Sequence, residues 1–394
     1  MSVVIRFISI KCFELNHFIA SYEFAKEPYR HSNTRRNSCR GGRRMSYSVN
    51  VVKTFSRNCF IAARVNSEHA EQISDNLVHA DLRGIASHGL TRIPIYVERI
   101  LRGVVKAAPQ MKVLTDKGPL KLVDGDNASG AVASCFANAL AIRSAKEFGI
   151  CLVTVRNSNH NGIAAAYTIE MARAGLLGIC ATNVSKSMAI AGSMVPVLGT
   201  NPISFSVPRK GHEPIVLDMA SSVVARGKIV EAAKRGDPIP EGWALDSEGQ
   251  PTTDSVAAEK GVILPFSGVK GSGMALMVDM FSGVLANSLF GALIPNLYSN
   301  FTDPQRIGHF FLAIDPHALE DGAAFEDRVE TFVGMIKSAK RAAGVDEILL
   351  PGEPEMRLEA RRRVEGITLP PKVIADLNET AKSLGVPPLD RTKP

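Results

Sequence analysis

The sequence lacks several patterns that would assign it to a common class of site. Its six cysteines never form a Cys-x-x-Cys pair, so neither a zinc ribbon nor a thioredoxin-type motif is present. The His-Glu-x-x-His, EF-hand and Gly-x-Ser-x-Gly patterns of zinc proteases, calcium sites and α/β-hydrolases are also missing. We therefore expect no metal, and we expect the cysteines to be free thiols in a reducing cytoplasm.

Long apolar runs are missing as well. The longest candidate, residues 274–285, is interrupted by Asp279 and Ser282, and no uncharged apolar stretch is long enough to span a bilayer. We therefore expect no membrane partner. Because residues 274–285 are apolar on nearly every side of a helix, we predict a buried helix there.

The excess of positive charge belongs to one end of the chain. Residues 1–44 supply +6 of the net charge of +7, which leaves the remainder close to neutral. We therefore expect no nucleic-acid partner for the folded part. We interpret residues 1–44 as an extension translated from an upstream start, with Met45 as the true start. A transit peptide and a basic arm are the alternatives.

The order of predicted elements is typical of an α/β protein. Residues 50–105 have helical spacing, and the apolar runs 150–155 and 177–182 are strand candidates separated by a helix over 163–174. Further helices are predicted over 128–147, 223–233, 320–343 and 371–384, and further strands within 111–123 and at 203–207, 215–217 and 308–314. A loop rich in proline and glycine is predicted over 237–254.

The first candidate site is a short loop between two predicted helices. It carries Ser87 and His88, and Arg92 follows at the start of the next helix. A histidine titrates near neutral pH and a guanidinium binds a carboxylate through two hydrogen bonds, so this set suits a small organic acid. The alternative is a capping histidine beside a solvated arginine.

A second candidate, His160, lies in a predicted loop over 156–162, directly after an apolar strand. Ligands in α/β sheets bind at the carboxyl ends of strands, so this position favours a functional histidine. The alternative is a structural role, because asparagine and histidine are common loop residues.

Polar groups also follow the other predicted strands. They include Asn183 and Ser185, Thr200 and Asn201, and Asp218, and they suit the lining of one cleft. Residues 265–274 are glycine-rich and contain Lys270, so they offer N–H groups and a cation to an anion such as a phosphate. This segment matches neither a P-loop nor the Gly-x-Gly-x-x-Gly fingerprint, and ordinary turn chemistry is the alternative.

Taken in order, these motifs resemble the malate/L-lactate dehydrogenase family that is unrelated to the Rossmann-fold dehydrogenases. That family includes ureidoglycolate and sulfolactate dehydrogenases and Δ1-piperideine-2-carboxylate reductases. The similarity covers roughly residues 50–390. Its motifs are Asp-Leu-Arg-Gly-x-x-Ser-His-Gly-x-x-Arg at 81–92, Asn-Ser-Asn-His at 157–160, Gly-Thr-Asn-Pro at 199–202, Leu-Asp-Met-Ala at 217–220, Lys-Gly-x-Gly at 270–273 and Gly-His-Phe at 308–310.

The resemblance implies an oxidoreductase that uses NAD or NADP on small 2-hydroxy acids or their 2-oxo counterparts. It also implies an α/β, non-Rossmann, mixed-sheet NAD(P)-binding fold with helical N- and C-terminal parts, and a homodimer with its site near the subunit boundary. We accordingly divide the chain into a leader over 1–44, a helical substrate part over 45–125 and 310–394, and an α/β cofactor part over 126–309.

By position, the resemblance makes His88 and His160 the acid/base candidates, with Arg92 on the substrate carboxylate and Ser87 orienting its neighbour. We assign Thr200 and Asn201 to the substrate as well. The residues assigned to the cofactor are Asn183, Ser185, Asp218, Met219, Ala220, Lys270, Gly271, Gly308, His309 and Phe310.

Two positions depart from the family pattern and leave the substrate and the choice between NAD and NADP open. Lys186 lies in a segment where small residues and proline are usual, and Ser267 stands where glycine is common. Reduction of a cyclic imine is the alternative reaction, since the same groups would serve a C=N bond. A catalytically silent ligand-binding protein is the alternative from another class.

Overall fold

The computed structural model describes residues 45–319 and 322–390, so the predicted leader 1–44 lies outside the described residues. The strands are β1 (Met45–Tyr47), β2 (Lys112–Lys117), β3 (Leu120–Asp124), β4 (Ile150–Ser158), β5 (Leu177–Thr182), β6 (Ile203–Val207), β7 (Ile215–Met219), β8 (Ala244–Leu245), β9 (Pro251–Thr252), β10 (Val262–Ile263), β11 (Ile307–Ile314) and β12 (Ile367–Leu369). The α-helices are α1 (Val49–Ala62), α2 (Ser67–Leu82), α3 (Ile93–Leu101), α4 (Gly130–Phe148), α5 (Ala165–Arg173), α6 (Arg226–Arg235), α7 (Ser255–Lys260), α8 (Val269–Asp279), α9 (Gly322–Lys337), α10 (Glu353–Glu365) and α11 (Pro371–Ser383).

A mixed sheet of seven strands, in the order β2-β3-β4-β11-β5-β6-β7, forms the centre of the described chain. β3 and β4 run parallel, and α4 forms the crossover between them. β11 lies between β4 and β5 and is antiparallel to both. A Rossmann sheet is mostly parallel, so this order confirms the predicted α/β, non-Rossmann fold class.

The main core lies between this sheet and the N-terminal helices. Alternate residues of β4, namely Cys151, Val153 and Val155, are buried, as the two-residue period of a strand requires. α2 buries Ile73 and Leu77 from its apolar stripe into the same core. The C-terminal region joins this assembly because β12 pairs with β1 and α11 packs on α3.

A smaller core surrounds the three-stranded sheet β10-β8-β9. It contains Met188, Ile229, Ala244 and Ile263, so α6 packs here together with the predicted proline- and glycine-rich loop. The boundary predicted at 309/310 falls within β11, and the one at 125/126 follows β3. Both strands belong to the main sheet, which therefore crosses the predicted division of the chain.

The prediction of a buried helix over 274–285 is wrong. α8 ends at Asp279 and continues as a π-helical turn over Met280–Val284, and only one face of the segment is covered. Leu276 and Leu285 are 51% and 53% exposed. The apolar residues exposed on this segment are Leu276, Met277, Met280, Phe281, Val284 and Leu285, which we call the α8 apolar face. Periodicity cannot show which side of an all-apolar helix is covered.

Other differences from the predicted elements are local. β4 extends to Ser158, so the predicted loop over 156–162 is shorter than expected, and β7 extends to Met219. α10 was not predicted, because its thirteen residues are dominated by charged side chains and bury only Glu359. The loop over 237–254 contains the two short strands β8 and β9.

Two further expectations concern the cysteines and membrane-spanning helices. The four cysteines of the described chain, Cys59, Cys135, Cys151 and Cys180, are free. Among residues 45–319 and 322–390, no helix has both the length and the apolar character that crossing a membrane requires.

Candidate active site

The segment that carries Ser87, His88 and Arg92 is held by a buried carboxylate. It forms two short 3-10 turns, Ala86–His88 and Leu90–Arg92, rather than an open loop. The Oδ2 atom of Asp81, at the end of α2, accepts a hydrogen bond from the Leu90 N–H at 2.8 Å. A Cβ on Gly89 would lie 2.2 Å from the carboxylate carbon of Asp81, so only glycine fits there. Burial raises the pKa of Asp81 to about 6.

His160 lies two residues beyond β4, against the start of α4. A Cβ on Gly130, the first residue of α4, would lie 2.0 Å from the carbonyl oxygen of Asn159 and 2.4 Å from that of His160. The missing side chain therefore lets the helix start pack directly against the backbone that carries His160.

Tyr96 is a residue of this site that the sequence analysis missed. Its hydroxyl lies 2.6 Å from Nδ1 of His160, and the N–H of Gly162 lies 3.2 Å from the same atom. Because a backbone N–H can only donate, Nδ1 accepts, and the neutral ring carries its proton on Nε2. Burial raises the pKa of Tyr96 to about 12, so its hydroxyl stays protonated. Tyr96 on α3 follows Arg92, the N-cap of that helix, by four residues, a spacing that places both on one side of the helix start.

The fold brings the two predicted histidines together. The rings of His88 and His160 stack with centroids 5.3 Å apart and an angle of 28° between their planes. Nδ1 of His88 lies 2.9 Å from the hydroxyl oxygen of Ser87. Burial, and next the charge of Arg92, lower the pKa of His88 to about 3, and the same two causes hold the pKa of His160 well below its usual range. Both rings are therefore neutral near pH 7.

Arg92 completes this cluster. Its Nε donates to the Ser87 carbonyl at 2.7 Å, and its Cζ lies 5.4 Å from the centre of the Tyr298 ring. No carboxylate within the described ranges contributes to its pKa. The half-buried guanidinium therefore keeps its terminal N–H groups for another acceptor.

Asn183, Asn201 and Gly308, which the sequence analysis assigned to substrate or cofactor, lie in a buried network with Asp279. The Asn183 amide donates to Asp279 Oδ1 at 2.6 Å and accepts from the Gly308 N–H at 3.0 Å. The Asn201 amide accepts from the Val184 N–H at 3.1 Å and donates to the Ala275 carbonyl at 2.9 Å. These groups join the segments around β5, β11 and α8, so in this structure the amide side chains of Asn183 and Asn201 hold the scaffold.

A substitution at Asp279 tests how much this network contributes to stability. Its two carboxylate oxygens accept from the Asn183 amide and, at 2.8 Å, from the Gly291 N–H. Asp279→Asn has the same shape, but it turns an N–H₂ group toward one of these donors and leaves buried groups unpaired. We expect it to lower the free energy of unfolding by about 2 to 4 kcal/mol, measured by urea denaturation. Asp376→Asn, on an exposed position of α11, is the matched control and should change it by less than about 0.5 kcal/mol. Equal effects of the two variants would contradict this reading of the network.

The side chain of His309 is fully buried and has hydrogen-bond partners on both sides. It is 0% exposed in the middle of the sheet. Its Nδ1 lies 2.8 Å from the hydroxyl oxygen of Thr182, and its Nε2 lies 2.8 Å from that of Ser158. Both ring nitrogens therefore have partners inside the core, a role that a strand pattern alone does not distinguish from ligand binding.

The remaining predicted residues differ in their access to solvent. Asp218, the residue before the last of β7, accepts a hydrogen bond from the N–H of Ala165, the first residue of α5, at 3.0 Å. Burial raises the pKa of Asp218 to about 6. This contact places the end of β7 next to α5, the helix that follows His160 in the chain.

The other predicted residues differ in their exposure. Lys270 is exposed, and Gly271 is buried in the first turn of α8. The half-buried residues are Ser185, Thr200, Asp218, Met219, Ala220 and Phe310. Across residues 45–319 and 322–390, no group of three or more His, Cys, Asp or Glu side chains is arranged to hold a metal ion.

Comparison with known proteins decides the family. The family model for malate/L-lactate dehydrogenase matches residues 47–378. The chain belongs to this family. The resemblance predicted from the motifs at 81–92 and 157–160 is thereby confirmed.

Curated relatives of this family cover most of the chain. It is 37% identical to the malate/(S)-sulfolactate dehydrogenase of Methanothermus fervidus, over 82% of this chain and 94% of the relative. It is 36% identical to the (2R)-3-sulfolactate dehydrogenase (NADP(+)) of Chromohalobacter salexigens, over 85% and 98%. It is 32% identical to the ureidoglycolate dehydrogenase (NAD(+)) of Escherichia coli O157:H7, over 82% and 93%. All three relatives are named as dehydrogenases, the predicted activity class, and the two predicted cofactors, NADP and NAD, appear in the names of the second and the third.

Solved structures of the family share the fold. The sulfolactate dehydrogenase from Methanocaldococcus jannaschii superposes with a TM-score of 0.84 at 34% identity, covering 89% of this chain and all of that one. The Δ1-piperideine-2-carboxylate reductase from Pseudomonas syringae pvar. tomato superposes with a TM-score of 0.75 at 28% identity, covering 86% of this chain and all of that one. The mixed sheet with β11 at its centre is therefore a family fold.

Proposed function

We propose that this protein transfers a hydride between NAD or NADP and a small 2-hydroxy acid or its 2-oxo counterpart. One observation carries the proposal: two neutral histidine rings stack 5.3 Å apart beside Arg92. Oxidation of a secondary alcohol needs a base for the hydroxyl proton and, for an acid substrate, a cation for the carboxylate. The histidines and the arginine offer both, in a member of a dehydrogenase family.

Arg92 is the group suited to the substrate carboxylate. Its Nε is occupied by the Ser87 carbonyl, so the two terminal nitrogens remain for a bidentate contact. The ring of Tyr298 lies over the guanidinium and supports its orientation. A bound carboxylate would offset the charge of Arg92, which is one of the two causes that lower the pKa of His88. Substrate binding would therefore make His88 a stronger base.

The hydrogen bonds favour different roles for the two histidines. Nε2 of His160 carries the proton, so it serves as a hydrogen-bond donor to the substrate oxygen. His88 can donate from Nδ1 to the Ser87 hydroxyl, which leaves the lone pair of its Nε2 free. We assign to His88 the removal of the hydroxyl proton in oxidation and its return in reduction. His160 then holds the oxygen as it changes between hydroxyl and carbonyl.

The residues present fit a nicotinamide cofactor in part. Met219 and Ala220 are half-buried at the end of β7, where a planar ring can contact them. α6 begins six residues later without a side-chain cap, and Arg226 on its first turn is exposed, so this end suits a phosphate. Ser185, Phe310 and Lys270 also remain accessible, whereas His309 and Asn201 do not. When bound, NAD or NADP supplies the acceptor or donor of the hydride.

The test is a direct assay of purified protein lacking residues 1–44. NADH and NADPH are offered separately with a panel of 2-oxo acids, and the absorbance of the reduced nicotinamide is followed. We expect oxidation of one cofactor with at least one 2-oxo acid. If no acid of the panel is turned over while fluorescence titration shows no cofactor binding, the proposal fails. Binding without turnover across the panel would support the silent ligand-binding alternative.

Reduction of a cyclic imine is the second candidate, favoured by the likeness to the solved piperideine-carboxylate reductase. The same Arg92 would hold the ring carboxylate, and His88 would face a C=N bond instead of a carbonyl. Δ1-piperideine-2-carboxylate therefore belongs in the panel, together with a 2-oxo acid in the presence of methylamine. Turnover of the imine but of no 2-oxo acid would favour this candidate.

We further propose that the protein is a homodimer that buries the α8 apolar face. Exposed methionine, leucine and phenylalanine side chains on one contiguous segment are typical of a surface that a partner covers. Leu276→Glu combined with Met280→Glu should convert a dimer into a monomer in analytical ultracentrifugation. Leu319→Glu, at a position 83% exposed and outside this face, is the control and should leave the dimer intact. Dimers that persist in the double variant would refute this interface.

We also propose a cytoplasmic location. Cys59, Cys151 and Cys180 are buried as free thiols, which suits a reducing compartment. Fractionation of cells that express the full chain would test it, and recovery in the periplasm or in a secreted fraction would contradict it.

A further inference from the structure

Arg99 on α3 is a buried cation with incomplete hydrogen bonding. Arg99 is 1% exposed. Its Nη1 donates hydrogen bonds to the carbonyl of Leu297 at 3.1 Å and to that of Asn300 at 2.6 Å. Its Nε and Nη2 are buried without a hydrogen-bond partner. Buried donors of this kind are paired in the great majority of cases, so these two atoms indicate a missing acceptor.

A buried acceptor without a partner lines the same cavity. Oδ1 of Asn159 has no hydrogen bond, although the Asn159 amide nitrogen donates to Asn127 Oδ1 at 2.9 Å and to the Ala128 carbonyl at 2.8 Å. Those two bonds fix which end of the amide carries oxygen. Arg99, Asn159, Tyr96 and His160 all line one cavity of about 20 Å³.

We propose that this cavity is a binding site for one ordered water molecule. The water would accept from Arg99 and donate to Oδ1 of Asn159, which pairs both kinds of unpaired atom at once. A volume of about 20 Å³ is enough for one water molecule. A water molecule can accept from the guanidinium and also donate to the amide oxygen, whereas an ionised carboxylate can only accept.

The position of this water makes it part of the support of the active site. Asn159 directly precedes His160, and Arg99 holds the carbonyls on either side of Tyr298, whose ring lies over Arg92. One water would thus link the side chain of Asn159, the residue before His160, to the segment of Tyr298 that lies against Arg92. The unpaired atoms of Arg99 and Asn159 are buried whichever reaction the protein catalyses.

A high-resolution crystal structure of the full protein tests the site directly. We expect one density peak in the cavity, within hydrogen-bonding distance of Asn159 Oδ1 and of Nε or Nη2 of Arg99. An empty cavity, with no density peak between Arg99 and Asn159, would overturn the proposal. A peak that refines only as an anion such as chloride would overturn it as well.

A cavity-filling variant supplies a second readout. Val105 lines the cavity, and Val105→Ile adds a methylene group there, which should expel the water and leave Arg99 and Asn159 unpaired. Val104→Ile, at an equally buried neighbour outside the cavity lining, measures the cost of overpacking alone. We expect a Tm for Val105→Ile that lies a few degrees below that of Val104→Ile. A Tm at or above that of Val104→Ile would mean that the cavity was dry.

Discussion

Replacing His88 by glutamine should lower kcat/KM for oxidation of the 2-hydroxy acid by about 10²- to 10⁴-fold. The same substitution at His160 should keep the activity within about tenfold of the wild type. The reason lies in the hydrogen bonds: a glutamine amide can donate from a position near the imidazole Nε2, but it cannot take up a proton. His160 has its proton on Nε2 because Nδ1 accepts from the Gly162 N–H, whereas His88 can free its Nε2 lone pair by donating to Ser87.

The pair of variants separates three interpretations of the site. Initial rates at saturating cofactor, with cofactor affinity from fluorescence titration, are the measurements. His317→Gln, at an exposed position outside the cluster, is the control and should leave both unchanged. Equal losses for His88→Gln and His160→Gln would contradict the division of roles, and a larger loss for His160→Gln would make that residue the base. Unchanged turnover in both variants would remove the histidines from the chemistry.

The sequence located both parts of this cluster but not their contact. Ser87, His88 and Arg92 stand together in the chain, and His160 follows a strand, so residue type and position were enough to select them. Their stacking depends on α4, whose first turn packs against the backbone of Asn159 and His160 through Gly130. That approach is a tertiary contact, and local periodicity carries no information about it.

Other parts of the site were hidden for identifiable reasons. Asp81 holds the turn at Gly89, yet within α2 it resembles any helical acid, because burial and not residue type distinguishes it. His309 and Asn183 resemble ligand-binding residues in sequence, because polar residues near strand ends serve either a ligand or the core. Here the hydroxyls of Thr182 and Ser158 and the carboxylate of Asp279 occupy them. The α8 apolar face was predicted to be core because a helix that is apolar on nearly every side carries no polar face to mark the side that is exposed.

The lowered pKa of His88 leads to different pH profiles in the two directions of the reaction. Oxidation needs the neutral ring, and with a pKa of about 3 that form is dominant throughout the range from about pH 5 to pH 8. We therefore expect kcat/KM for oxidation to stay nearly flat across this range. Reduction needs the protonated ring, whose fraction falls about tenfold for each pH unit above the pKa, so kcat/KM for reduction should fall by about 10³-fold from pH 5 to pH 8.

The two profiles constrain each other, which makes the measurement decisive. Oxidation of the alcohol releases one proton, so the ratio of the two kcat/KM values must change about tenfold per pH unit whatever the enzyme does. The pKa of the catalytic base decides only whether this pH dependence appears in kcat/KM for oxidation or in kcat/KM for reduction. A base with the ordinary histidine pKa near 6.5 would make oxidation decline below that pH and would leave reduction flat there. Finding that pattern would contradict the lowered pKa of His88: either burial and Arg92 do not keep His88 neutral, or a less buried group is the base.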